Sequence, residues 1–297
     1  MSNERKALLL GLAAVLLWST AATAFKLALR ELNVLQLVAY SVTWSALALL
    51  IIVAVQGKLA VLMEHGRSSP LTFLGLGLVN PLAYYLILLT AYDLLPAQQA
   101  QAINYTWAIM LSVLAVPLLG HSLSKRDIFA VCVAYSGVLI IATRGNLLTL
   151  SFDSFPGVAL ALASTVLWAF YWILKTRNEC DPIVSLCLNF LFSMPLALII
   201  CAVFSTLEIV SVSSMLATVY VGLFEMGVTF ALWSAALRAT SAVSRVANLI
   251  FLSPLVSLVF IAVILEEAVH PATLVGLALI IPAVFLQHSQ APANRNG

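Results

Sequence analysis

Ten apolar stretches, separated by short polar gaps, account for nearly all of the 297 residues. A helix needs about 20 apolar residues to cross a hydrocarbon core about 30 Å thick, and each stretch comes close to that length. We place the spans at 7–29, 34–55, 70–94, 97–117, 126–143, 155–177, 182–204, 212–236, 241–263 and 270–288. With 63% hydrophobic and only 9% charged residues, the chain could not cover a water-facing globule of this size. The expected fold is an all-α membrane protein of ten transmembrane helices, and the lipid bilayer is its first partner.

Positive charge decides the orientation. With a cytoplasmic N-terminus, the inner side holds Arg5, Lys6, Lys58, Arg67, Lys125, Arg126, Lys175, Arg177, Arg238, Arg245 and Arg295, eleven residues against three, Lys26, Arg30 and Arg144, on the other. Both termini are therefore expected in the cytoplasm. The start, Asn3-Glu4-Arg5-Lys6 followed by an apolar run and Ala22-Thr23-Ala24, has the outline of a cleavable leader. A partner for this segment later in the chain favours a retained first span.

That partner comes from an internal repeat. At an offset of 149 to 150, Trp18 falls on Trp168, Lys26 on Lys175, and Leu47-Ala48-Leu49 on Leu196-Ala197-Leu198. At 145, spans three to five meet spans eight to ten, with Gly77 on Gly222, Ala91 on Ala236, Ala102 on Ala247 and Ser112 on Ser257. Each identity is weak in so apolar a chain, and the collinearity over five spans carries the reading. The halves are expected at 1–145 and 157–297, joined by the loop 146–156. Since five is odd, the second copy starts from the opposite face. Two halves related by an axis in the membrane plane are the architecture of carriers that open alternately to either side around a midplane site.

Side chains with chemistry are few. Cys132, Cys180, Cys187 and Cys201 form no CxxC pair, and His65, His121, His270 and His288 lie near span ends without metal-ligand spacing, so no metal and no cofactor are expected. HExxH, GxSxG and GxxxxGK[ST] are absent from the sequence, which argues against an enzyme or an ATP-driven pump. Nothing points to a nucleic acid. Pro81, Pro195, Pro254 and Pro282 lie within spans, where each removes a backbone hydrogen bond and bends the helix.

Glu225 stands near the middle of span eight, where an ionised carboxylate costs several kcal/mol unless it meets water or a partner. It should face inward, as a solute or proton site or paired with Arg238 or Asn248. Its repeat mate is Asn80. Aromatic residues with polar tips gather at the same depth. Trp168 and Trp172 are one turn apart on span six, Asn80 and Tyr84 share a face of span three, and Gln101, Asn104, Tyr105 and Ala108 share one on span four. With Trp18 these stripes would line a cavity for a small amphipathic solute; the plain alternative is helix packing. Trp107 lies off the polar face of its span. Lys26 and Lys175 are expected to snorkel toward the headgroups, and Asn248 with Ser244 and Arg245 to border an inner vestibule.

Leu16-Leu17-Trp18-Ser19 with Lys26, its echo Val166-Leu167-Trp168-Ala169 with Lys175, and Leu252-Ser253-Pro254-Leu255 followed by Leu265-Glu266-Glu267 resemble the drug/metabolite transporter superfamily. The likeness is to its ten-helix EamA-like branch, and within it to YddG-type amino-acid exporters. That resemblance implies a multi-pass protein of a prokaryotic inner membrane exporting aromatic and other neutral amino acids. It also implies a cavity between spans one to four and six to nine, with Trp168, Tyr84, Tyr105 and Trp107 in its walls. Span one lacks the acid that couples protons in small four-helix relatives, and His121 replaces a glutamate after span four. The set expected to bind a solute is Trp18, Asn80, Tyr84, Gln101, Tyr105, Trp107, Trp168, Trp172, Glu225 and Asn248, in a chain working as a monomer. An exporter of drugs or nucleobase-like metabolites, or a membrane scaffold without transport, are the alternatives.

Overall fold

A computed structural model describes residues 3–288 apart from 149, 151, 209, 210 and 242, and leaves the side chains of 244, 287 and 288 undescribed. Among the sequence expectations, Arg295 and the side chains of Ser244 and His288 therefore lie outside the described residues. The described chain is built of helices, with no strand. Eight are long and apolar enough to cross a membrane. They are α1 (Asn3–Leu29), α2 (Val34–Val55), α3 (Pro70–Leu94), α4 (Ala97–Leu119), α6 (Phe155–Thr176), α7 (Pro182–Phe204), α8 (Val212–Ala239) and α9 (Arg245–Ile264). The other two expected spans appear as α5 (Lys125–Ala142) and α10 (Pro271–His288), 18 residues each. α5 opens on the charged run Lys125-Arg126-Asp127, and at about 1.5 Å per residue its apolar part is short for a bilayer.

Helix starts follow the caps in the sequence. Asn33 and Gln36 form a capping box at α2, Ser124 and Asp127 another at α5, and Asp181 accepts from the backbone N–H of Ile183 and Val184 at α7. Burial raises the Asp181 pKa, but hydrogen bonds from Lys58 and from those N–H groups outweigh it, and the net shift is downward. A ten-residue helix over Leu59–Ser68, which the spacing did not predict, fills the gap between α2 and α3.

The packing is symmetric under an exchange of helices five places apart. α1 lies against α8 and α9 as α6 lies against α3 and α4; α2 crosses α7, and α5 crosses α10. Glycines set the closest crossings. A Cβ at Gly77 would strike the Asn189 carbonyl of α7, one at Gly222 the Ser41 carbonyl of α2, and Gly137 and Gly276 meet across the α5–α10 crossing. In lipid such close backbone approach supplies the packing that hydrophobic burial cannot.

α3 and α8 each widen into a π-helical turn, at Leu78–Ala83 and Val221–Gly227. The expected bend at Pro81 coincides with the first; the second contains no proline and instead places Gly227 outside helical geometry, at φ −111° and ψ −85°. Such turns free backbone groups inside the bundle and recur at functional sites.

Candidate functional site

A cavity of about 330 Å³ lies beside the wide turn of α8. Its walls come from α1, α3, α4, α6, α8 and α9, so both halves build it. Of the ten residues expected to meet a solute, eight line it: Trp18, Tyr84, Gln101, Tyr105, Trp107, Trp168, Trp172 and Glu225. Asn80 and Asn248 do not.

Asn80 is displaced by its backbone. It sits inside the π-helical turn at φ −141° and ψ 117°, an extended conformation that takes it off the face of Tyr84. It is buried to 1% exposure where that turn packs against α7, and its Oδ1 has no hydrogen-bond partner. Asn248 begins a tight 3-10 segment, Asn248–Leu252, and its neighbours Ala247 and Ile250 reach the cavity instead. Trp107 moves the other way. α4 breaks at Tyr105 and Thr106, and the restart at Trp107 turns that ring into the cavity despite its place off the polar stripe.

Trp168 is the hub of the aromatic wall. Its ring lies 4.5 Å from Tyr84, 5.9 Å from Phe230, 6.2 Å from Trp172 and 6.5 Å from Trp107. Trp18 approaches Phe230 at 5.1 Å and Trp233 at 5.5 Å, so Phe230 bridges the two repeat-related tryptophans. Offset and edge-to-face pairs of this kind add about 0.5–1.5 kcal/mol each beyond their buried area. Phe230 and Trp233 were missed from sequence, although Trp233 follows Glu225 by two helical turns and the face rule would have found it.

Polar groups are sparse in these walls and mostly tethered. Tyr84 donates to Asn104 Oδ1 at 3.5 Å, and Asn104 Nδ2 donates to Ser164 Oγ at 2.9 Å, which fixes the amide on the cavity rim. The Trp18 indole N–H donates to the main-chain carbonyl of Glu225 at 3.2 Å and ties α1 to the wide turn. The carboxylate itself receives only a long contact from Tyr85, 3.5 Å to Oε1, and Oε2 has no partner. Neither Arg238 nor Asn248 pairs with it; Lys58–Asp181 and Arg144–Asp153 are ion pairs elsewhere in the chain. Trp172 Nε1 is a second orphan in the same wall. No Lys, Arg or His is among the lining residues. The site thus offers one acid with a single long hydrogen bond, a few amide groups, and a shell of rings.

Lys26 departs from its expected snorkelling, donating instead to the carbonyls of Tyr92 at 2.7 Å and Leu95 at 3.0 Å. Glu267, from the motif that closes α9, accepts from the backbone N–H of Ala97 at 3.0 Å and from Gln98 Nε2 at 2.7 Å, capping α4.

The sequence profile of the EamA-like transporter family matches twice, over residues 5–143 and 155–287. This chain belongs to that family. The first match runs from α1 to α5 and the second from α6 to α10. A protein of Streptantibioticus cattleyicolor described as a probable terminal-alkyne amino-acid exporter is 28% identical over 274 residues, covering 92% of this chain and 90% of its own length. The uncharacterized transporter YvbV of Bacillus subtilis is 25% identical over 225 residues, 73% of this chain and 72% of its own. One solved crystal structure superposes with a TM-score of 0.66 at 21% identity, over 95% of this chain and 96% of that one, which shows the fold to be a known one. The protein is a multi-pass membrane transporter.

Proposed function

We propose that the protein exports aromatic and other neutral amino acids, and related small metabolites, from the cytoplasm by alternating access through the ring-lined cavity. In this reading the halves are inverted copies of five spans each, both termini are cytoplasmic, and a monomer works in the inner membrane. The observation that carries it is the cavity itself, shared by both family matches, with Glu225 in its wall and one carboxylate oxygen of that residue, Oε2, without a partner. At about 330 Å³ it falls within the roughly 300–1,000 Å³ of small-molecule sites. The protein of Streptantibioticus cattleyicolor, described as a probable terminal-alkyne amino-acid exporter, supports amino acids as the cargo.

Each wall has a role. The Trp168, Tyr84 and Phe230 rings hold an apolar side chain, and the Glu225 carboxylate meets the ammonium. A ring face over that ammonium adds about 0.5–2 kcal/mol. Gln101 supplies a donor for the solute carboxylate in place of a cation. The lack of a basic residue in the walls also favours a second reading, in which organic cations without a carboxylate are carried.

Efflux from proteoliposomes loaded with labelled phenylalanine, tryptophan or a quaternary ammonium, with and without a pH gradient, separates the two. Flux of the amino acids that falls in Glu225→Gln and Trp168→Ala supports the first reading. Equal flux in wild type and both variants refutes the site.

A further inference from the structure

The end of α3 and the end of α8 are repeat equivalents, yet they are treated differently. At the α3 end, the Lys26 ammonium takes the carbonyls of Tyr92 and Leu95, which a helix C-terminus leaves unsatisfied. At the repeat offsets of 149 and 145, Lys26 corresponds to Lys175, and Tyr92 and Leu95 to Leu237 and Thr240. Lys175 forms no such bonds. Its Nζ lies 5.0 Å over the ring of Trp172, a cavity residue. The cavity is shut at the Lys26 end, where Phe25, Tyr92 and Leu95 are 2%, 4% and 2% exposed. At the other end Val243 lines the cavity and is 50% exposed.

We propose that Lys26 and Lys175 are a reciprocal latch, positioning residues that close opposite ends of the cavity in turn. In the conformation seen here Lys26 holds the end of α3, and Lys175 is parked on Trp172. When the cavity opens at the Lys26 end, Lys26 leaves the Tyr92 and Leu95 carbonyls. Lys175 then moves from the Trp172 ring to the carbonyls of Leu237 and Thr240. The exchange is cheap because each ammonium trades one satisfied setting for another; an ammonium left without either inside the bilayer would cost several kcal/mol. The move also uncovers one face of Trp172 for a solute, so latching and cavity are joined through that ring.

The two ends are not equally strong. Beside Lys26, Glu267 caps α4 and Gln98 binds Glu267, Ala268 and Thr273; the repeat positions carry Ser122 and Val243, which cannot rebuild that network.

The inference rests on the alternating-access reading, and its test uses no solute, so it succeeds or fails apart from the identity of the cargo. In proteoliposomes, with the four native cysteines replaced by alanine, a membrane-impermeant maleimide applied from the Lys26 side alone reports opening of that end through Leu88→Cys, and one applied from the Lys175 side alone reports the other end through Val243→Cys. Loss of a charge-assisted pair is worth roughly tenfold or more in a two-state population. Lys26→Met is expected to raise labelling of Leu88→Cys about tenfold. Lys175→Met is expected to lower it, and the double variant to return it near the parent value. A purely structural lysine would not give opposite signs. Unchanged rates in both variants, or shifts of the same sign, overturn the latch. Should the cysteine-free chain fail to fold, hydrogen exchange of Lys26→Met in the otherwise native chain must accelerate over residues 95–98; unchanged exchange there overturns it equally.

Discussion

The wide turn of α3 and the wide turn of α8 occupy equivalent places in the two halves and do different work. In α3 the turn carries Asn80, which is buried against α7 with no view of the cavity. In α8 the equivalent residue is Glu225, which faces the cavity, while the turn packs against α2. Each packing is permitted by a glycine, Gly77 in one and Gly222 in the other. The halves thus share a scaffold and divide the chemistry. A duplicated bundle can keep its crossing points symmetric, because backbone contact sets them, while the cavity charge is placed in one copy alone.

The largest effect expected from breaking this comparison is at Glu225. Glu225→Gln should cut amino-acid efflux by about tenfold or more, since charge-assisted hydrogen bonds contribute roughly 1.5–3 kcal/mol. Moving the acid to the other half, in Asn80→Glu with Glu225→Asn, should restore nothing, because position 80 opens toward α7. Initial rates in proteoliposomes check both. Next comes Trp168→Ala, for which we expect a several-fold loss of apparent affinity from a missing ring of about 0.5–2 kcal/mol, with partial recovery in Trp168→Phe. Gly77→Ala and Gly222→Ala should each destabilise the bundle by about 1–3 kcal/mol through overpacking, read as a lowered melting temperature in detergent. If only one of the pair does so, the shared scaffold is disproved.

The smallest effect lies at the surface. Glu31, between α1 and α2, accepts from the hydroxyls of Ser211, Ser214 and Ser213, which pull its pKa from the ordinary 4.5 to about 2. A carboxyl held low in the folded state contributes stability that is complete above its unfolded pKa and is lost as pH falls through the folded one. Wild type should therefore lose a small increment of thermal stability between about pH 4.5 and 2 that Glu31→Gln does not lose. Parallel pH profiles of the two would contradict the assignment.

Much of the fold was legible because span length is a property of composition along the chain. Trp18, Trp168, Tyr84, Gln101, Tyr105 and Glu225 were legible for a related reason: polar or amphipathic groups at mid-membrane depth are costly facing lipid and turn inward. What the spacing could not supply was local departure from the regular helix. The 3.6-residue period that puts Asn80 in the cavity is broken by the π-helical turn, and Trp107, which the same period places off the polar face, enters the cavity where α4 restarts. Lys26 was read as a headgroup anchor, since no sequence rule shows that the carbonyls of a distant helix end stand within its reach.

The central claim is that a solute occupies the chamber between Trp168 and Glu225. Protection of a cysteine placed there tests it most directly. Leu111→Cys, on the α4 wall, should be alkylated freely in the absence of solute and protected by millimolar phenylalanine or tryptophan in a saturable manner, with protection lost in Glu225→Gln. Alkylation unaffected by any amino acid that the reconstituted protein transports would contradict the account.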